Sequence, residues 1–414
     1  MAAPCLKRRA FVKATASAPL TPYVIASSAL GRTDLPPTSE RITFGLLGCG
    51  VRGMYVTRAM TRRGAQLVAA CDCYRDRRRR AVSQYSGTAY ADFRDVLALD
   101  DVDAVLIATP EHWHAVMAIE ACRCGKDVFC EKPLSGTIRE ARAILAAARR
   151  YGRVFQMGTQ QRSDHRFRFA CELIRNGRIG EVREVSVSPG FSSQPCPLPA
   201  EPVPRGLDWD MWLGPAPWAP YHPQRCEKRF AWWNWLDYSG GQTTDHGAHD
   251  FDIVQWGLGM DGSGPVEVFP PDGRRHRQLT FRYSNGVQVR SGREGWQKRW
   301  ALVTFKGTDG SVSVWRGGLE TVPSDLATTR IGPGEIHLHR SDDHVGNFLE
   351  CVRTRQRPVA DVEAGASSAI VCHLANIAYS LKRPLKWDPC KNRFPADDDV
   401  DRLLHRPYRQ PWRL

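Results

Sequence analysis

Three glycines set directly after a short apolar run restrict this chain more than anything else in it. Ile42, Phe44, Leu46 and Leu47 read as a buried strand, and Gly48, Gly50 and Gly53 follow as G-x-G-x-x-G. Each glycine has its own mechanical task. Gly48 permits a tight turn, Gly50 lets the backbone approach a pyrophosphate, and Gly53 lets a helix pack close to the strand. The helix predicted over residues 51–63, opening on Val51 and Arg52, points its amide N–H groups and positive dipole end at that phosphate. A glycine-rich turn is a weak sign on its own. A second apolar run, Gln66 to Cys71, strengthens it by ending at Asp72, about 20 residues further on, where an acid bonds the adenosine ribose hydroxyls.

The same alternation continues downstream. Residues 103–109 form a nearly continuous apolar run, as a parallel strand covered on both faces requires. Pro110 ends it, and a helix over 114–124 follows. Residues 127–130 are the next strand, running into Glu131-Lys132-Pro133, and Ser135 is placed to cap a helix through Arg149 and Arg150. Residues 153–157 supply a further strand. Strictly alternating strands and helices predict a doubly wound parallel sheet over residues 39–158, with ligands beyond the carboxyl ends of the strands.

After Gly158 the texture changes. A helix over 165–176 precedes an alternating strand at 182–188. A proline- and tryptophan-rich stretch follows over 195–236. Runs at 266–269, 278–283, 287–291, 301–305 and 311–315 then read as antiparallel strands, with turns at Ser284-Asn285-Gly286 and Thr308-Asp309-Gly310. Helices are expected over 345–353 and 365–382. The fold class is therefore α/β, with a second α/β domain over 159–386 carrying an open, mainly antiparallel sheet, and a tail over 387–414.

At 414 residues the chain is too long for one ordinary core. No apolar run is long enough to span a bilayer. The formal charge of +14 is spread along the sequence, and without a nucleic-acid module it points to an anionic substrate or to solubility. The thirteen cysteines lack zinc-like spacing. Their C-x-C pairs, Cys71/Cys73 and Cys122/Cys124, read as core fillers, and no metal is expected.

The first thirty residues read as an address. Lys7-Arg8-Arg9-Ala10-Phe11-Val12-Lys13 resembles a twin-arginine export motif, and an alanine- and serine-rich segment follows. The alternative is a disordered basic N-terminus. Residues 32–39 read as a linker, so 1–38 stands apart from the fold.

Two constellations carry chemistry. Lys132 at a strand end can hydrogen-bond a substrate hydroxyl and steady a developing alkoxide, although it reads equally as an ordinary exposed lysine. In Ser239-Gly-Gly-Gln-Thr-Thr-Asp-His-Gly-Ala-His-Asp-Phe-Asp252, capping by Thr243 or Thr244 would put Asp245 and His249 on one helix face. That arrangement makes a general base with an orienting carboxylate. His246 and Asp250 then point elsewhere as structural residues, and Asp252 lies a turn further on.

Together, G-C-G-V-R-G, E-K-P at 131–133, G-T-Q-Q-R at 158–162 and G-G-Q-T-T-D-H-G-A-H-D at 240–250 resemble the Gfo/Idh/MocA oxidoreductases over residues 41–389. The N-terminus and the P-Y-R-Q-P-W ending resemble an exported branch seen in planctomycete-like bacteria. The resemblance implies an NAD(P)-dependent dehydrogenase acting on a sugar, sugar derivative or polyol, commonly a homo-oligomer (dimer or tetramer). It implies Lys132 as catalytic lysine, Asp245 as its partner and His249 as general base. Gly48, Gly50, Gly53 and Asp72 would bind the dinucleotide, with Thr109, Pro110, His114 and Glu131 lining it. Asp72 favours NAD, whereas Arg75 and the run 77–80 behind it could accept the extra phosphate of NADP. Two other readings stay open: an NAD-dependent glycosidase working by transient oxidation and elimination, and a non-catalytic sugar or NAD sensor on the same fold. The residues Trp212, Trp218, Trp232, Trp233 and Trp235 could stack sugar rings.

Overall fold

The computed structural model describes residues 40–227, 232–274, 276–292 and 303–414. The export-like segment and linker, and the start of the strand expected at 301–305, lie outside the described residues.

The first sheet has six parallel strands: β1 (Thr43–Leu47), β2 (Gln66–Cys71), β3 (Thr88–Tyr90), β4 (Ala104–Ile107), β5 (Asp127–Cys130) and β6 (Phe155–Met157). They lie in the order β3-β2-β1-β4-β5-β6, all parallel. β4 and β5 are buried along their whole length, which explains their unbroken apolar sequence. The order reverses at β1, so the crevice between the β1 and β4 ends is where a dinucleotide binds in this architecture.

The second sheet has eight strands: β7 (Val182–Val187), β8 (Glu267–Phe269), β9 (Leu279–Arg282), β10 (Gln288–Ser291), β11 (Val303–Gly307), β12 (Ser311–Trp315), β13 (Gly318–Val322) and β14 (Leu385–Lys386). The order is β13-β12-β11-β7-β10-β9-β8-β14. Every pairing is antiparallel except β7 with β10. β13 and β14 were absent from the strands expected by pattern. β13 pairs only on one edge and is half-exposed, and β14 has two residues, so neither carries a strong alternation.

One long helix, Val362–Leu381, ties the two sheets together. Its first half puts Val362, Ala366 and Ala369 into the core of the first sheet, and its second half puts Val371, Leu374 and Ala378 into that of the second. Small side chains make this double contact possible: a Cβ at Gly365 would stand 3.0 Å from the Met157 sulfur. The helix Ile138–Arg150 starts later than expected. Thr137 rather than Ser135 caps it, accepting from Glu140 N, while the Glu140 carboxylate accepts from Gly136 N at 2.7 Å. The cap lies two residues downstream of Ser135 and is a variant of the capping box, with the Glu140 carboxylate reaching past the N-cap to Gly136 N. The tail is packed: Phe394 and Val400 join the second core and Trp412 the first. No helix among the described residues is long and apolar enough to cross a membrane.

Candidate active site

The cradle is built as the glycine spacing requires. Gly48 has φ +97°, and a Cβ there would meet Ala108 O at 2.7 Å. A Cβ at Gly53 would come to 2.1 Å from Gly48 O, whereas one at Gly50 would meet nothing within 4 Å. Space therefore lies over Gly50, at the start of the helix Val51–Arg62. That start has no side-chain cap and no acid in its first turn, so its leading amides have no side-chain acceptor. Donors and space of this kind fit a pyrophosphate. Val51 is 85% exposed at the mouth.

Asp72 ends β2 beside the cradle. Its carboxylate accepts from Cys49 N and Tyr74 N, both at 2.8 Å. Burial raises its pKa while these amides pull it down. Behind it, Arg78 donates to the Asp72 carbonyl at 2.8 Å and Arg77 lies over the Tyr74 ring at 3.8 Å. These two arginines are thus already engaged.

At the other end of the crevice, Lys132 follows β5 and forms an ion pair with Asp245 of the short helix Gln242–Asp245, also donating to the Asp245 carbonyl at 3.1 Å. The lysine and aspartate side chains are 18% and 19% exposed. This pair spans the two halves of the molecule. His249 lies on the next helix, Gly247–Leu258, and is buried with its Nδ1 unpartnered among the described residues. Burial, reinforced by the charges of Lys132, Arg316 and Arg52, pushes its pKa well below the ordinary value. His249 is therefore neutral at neutral pH and able to accept a proton.

Several expectations need correction here. Asp245 does not orient His249, because its carboxylate is turned to Lys132 and stands 3.7 Å from His246 Nε2. Neither threonine caps a helix: Gly241 is the N-cap, and no side-chain cap bond forms. His246 does not point away: its Nε2 faces the Asp245 carboxylate and its ring meets Trp233. Asp250 is buried and accepts a backbone hydrogen bond from Ser188, and burial pushes its carboxyl up to about 7. Asp252 is structural. It binds Arg162 through both oxygens, at 3.0 and 2.8 Å, and accepts from Ser368 at 2.9 Å. Arg162 thereby fastens the G-T-Q-Q-R turn to the helix that holds His249.

Residues expected to line a cofactor largely hold one another. Arg52 donates to Glu131 at 2.6 Å, and Gly158 leaves room for that carboxylate, since a Cβ there would lie 2.9 Å from it. His114 brackets the strand ends, with Nδ1 2.7 Å from Pro133 O and Nε2 2.9 Å from Thr109 O. Thr109 and Pro110 stay at the rim of the crevice, after β4. Of the C-x-C cysteines, Cys71 and Cys122 are buried, whereas Cys124 is exposed and Cys73 only partly covered. Among the tryptophans, Trp212 is core, stacked on Trp209 at 4.8 Å. Trp218 is 71% exposed, and Trp233 meets the His246 ring edge-on at 5.9 Å.

One residue was missed. Glu111, directly after Pro110, is fully buried and receives Ser239 Oγ at 2.6 Å, Gly240 N at 3.0 Å and Thr244 Oγ1 at 3.0 Å. It thus holds the loop that delivers Asp245. Burial pushes its pKa up to about 7, with Asp245 adding and the three donors opposing. The available cue was an acid following a strand-end proline.

Residues 42–159 match the oxidoreductase family with an NAD-binding Rossmann fold, and residues 192–414 match its C-terminal alpha/beta domain. The chain belongs to the Gfo/Idh/MocA oxidoreductase family. It is 25% identical over 369 residues to the uncharacterized oxidoreductase YrbE of Bacillus subtilis, covering 84% of this chain and 97% of that one. It is 31% identical over 159 residues to a glycosyl hydrolase family 109 protein of Shewanella, covering 36% of this chain and 35% of that one. Among solved structures, the WlbA dehydrogenase of Bordetella pertussis, in complex with NADH and UDP-GlcNAcA, superposes with a TM-score of 0.61 at 20% identity. That superposition covers 84% of this chain and 99% of the other. The matched N-terminal domain is an NAD-binding one, and Gly48, Gly50, Gly53 and Asp72 occupy the positions that would hold the cofactor.

Proposed function

We propose that this enzyme oxidises a secondary alcohol of a sugar, sugar derivative or polyol. The observation that carries the reading is the Lys132–Asp245 pair at the crevice mouth, with neutral His249 beside it. NAD, when bound, supplies the hydride acceptor. His249 takes the hydroxyl proton, for which its depressed pKa keeps it ready. Lys132 donates to the substrate oxygen and stabilises charge developing there, and Asp245 fixes the ammonium in place. Lys132→Met removes that donor and is expected to lower kcat/KM by about 10²–10³. NADH appearance with a panel of sugars and polyols measures it, and an unchanged rate would remove Lys132 from the mechanism.

A second reading draws on the likeness to glycosyl hydrolase family 109. In it, oxidation is transient, an aglycone is eliminated, and the cofactor is restored within each cycle. Glycoside cleavage without net NADH favours it, and stoichiometric NADH excludes it. Binding of sugar and NAD with no turnover of any substrate would instead support a sensor. We further propose export by the twin-arginine route, supported by Arg8-Arg9 and tested by cell fractionation. Homo-oligomerisation through the open second sheet is tested by sedimentation, where a monomer at all concentrations rejects it.

A further inference from the structure

The segment 204–214 leaves the second half of the molecule and crosses the carboxyl ends of β2 and β4. At the β2 end, Leu207 bridges Tyr74, Arg75 N donates to Gly206 O at 2.9 Å, and Asp208 N donates to Cys73 O at 3.1 Å. These contacts flank Asp72, whose carboxylate marks the adenosine ribose position. At the β4 end, the Trp212 carbonyl accepts from Trp113 Nε1 at 3.1 Å and lies 3.0 Å from His112 Nε2. A Cβ at Gly214 would stand 2.2 Å from the Trp113 ring. Between its two anchors the segment spans the strand ends over which the adenosine half of a dinucleotide lies.

The tail secures this segment from outside. Arg409 Nε donates to Gly214 O at 3.0 Å, its Nη1 to the Asp210 carboxylate at 2.5 Å and its Nη2 to Asp210 O at 2.8 Å, while Arg409 N donates to Pro215 O at 3.0 Å. The tail is itself anchored, with Tyr408 donating to buried Glu140 at 2.7 Å and Trp412 edge-on to Trp113 at 4.7 Å.

We propose that segment 204–214 is the outer wall of the adenosine half of the NAD site, and that Arg409 is the positioning residue that holds it closed. NAD then exchanges only when the wall lifts, whichever substrate the enzyme uses. Arg409 contributes a planar fork to three acceptors, which no other side chain reproduces.

The test uses the full-length protein loaded with NAD, with the dissociation rate read by displacement with excess unlabelled cofactor. Arg409→Gln is expected to raise that rate about ten- to a hundredfold, the loss of one charge-assisted set of bonds. Arg409→Lys should recover only part of it. Wild-type amide exchange supplies a second measurement that needs no variant. NAD should slow exchange at Arg75 and Asp208, whose amides close the wall. A dissociation rate unchanged in Arg409→Gln, or exchange at Asp208 indifferent to NAD, would overturn the proposal.

Discussion

Glu111→Gln separates burial from hydrogen bonding at the root of the site. In the folded protein the Glu111 carboxyl titrates at about 7 instead of 4.5, chiefly because it is fully buried. The native state therefore holds this proton more tightly than the unfolded chain does. The resulting stabilisation is whole below pH 4.5 and is lost as pH rises through 7. At about 1.4 kcal/mol per pH unit, the displacement amounts to about 3 kcal/mol. Glutamine keeps the shape and cannot ionise. Its amide oxygen can accept from Gly240 N, and the Ser239 and Thr244 hydroxyls can turn to meet its NH₂, so near pH 5 the variant should lie within about 1 kcal/mol of wild type. By pH 8 the variant should be the more stable by about 3 kcal/mol. Urea unfolding at intervals across this range reads the gap directly. A gap that stays flat with pH would refute the reasoning: the three donors would then be holding Glu111 ionised throughout, against its burial.

The cradle predicts opposite outcomes for adjacent glycines. Gly50→Ala puts a methyl into space where nothing lies within 4 Å, so the melting temperature should hold while NAD affinity falls; Gly53→Ala must displace Gly48 O and should cost about 1–3 kcal/mol of stability. Thermal melts with and without NAD report both, and normal NAD binding by Gly50→Ala would contradict the pyrophosphate placement. For His249, burial and the neighbouring charge of Lys132 hold the pKa well below its ordinary 6.5, so the acidic limb of kcat/KM should fall well below 6.5. Measuring it in a Glu111→Gln, Asp250→Asn background removes the two carboxyl titrations near 7, and a limb remaining at 6.5 would take His249 out of the role of base.

How far the sequence reaches depends on whether partners are local. The strand, turn and helix around Gly48 to Gly53 are governed by near neighbours, and period and spacing describe them almost to the residue. The family's Rossmann and C-terminal halves follow from the same kind of pattern. The helix-face argument for Asp245 and His249 fails for a specific reason. His249 N bonds His246 O at 2.9 Å, a three-residue step, and the helix restarts at Gly247. The turn tightens there, and the Asp245 carboxylate is taken by Lys132 instead of being left to orient His249. Glu111 escaped notice because an acid in the first turn of a helix already has an adequate local explanation, the dipole, while its real partners lie more than a hundred residues away.

The same non-local character decides what kind of site this is. Lys132 comes from the end of a strand in the first sheet and Asp245 from a helix of the second half, and each side chain keeps about a fifth of its surface open. A pair at this exposure adds little to stability on its own. What gives it a fixed geometry is the pair of fully buried anchors behind it: Glu111 gripping Ser239, Gly240 and Thr244 ahead of Asp245, and Arg162 gripping Asp252 beyond His249. The active-site loop is thus clamped on both sides by buried ion and hydrogen-bond networks, and the reactive groups between the clamps remain accessible to substrate. Rigidity resides in the anchors and reactivity in the residues they frame.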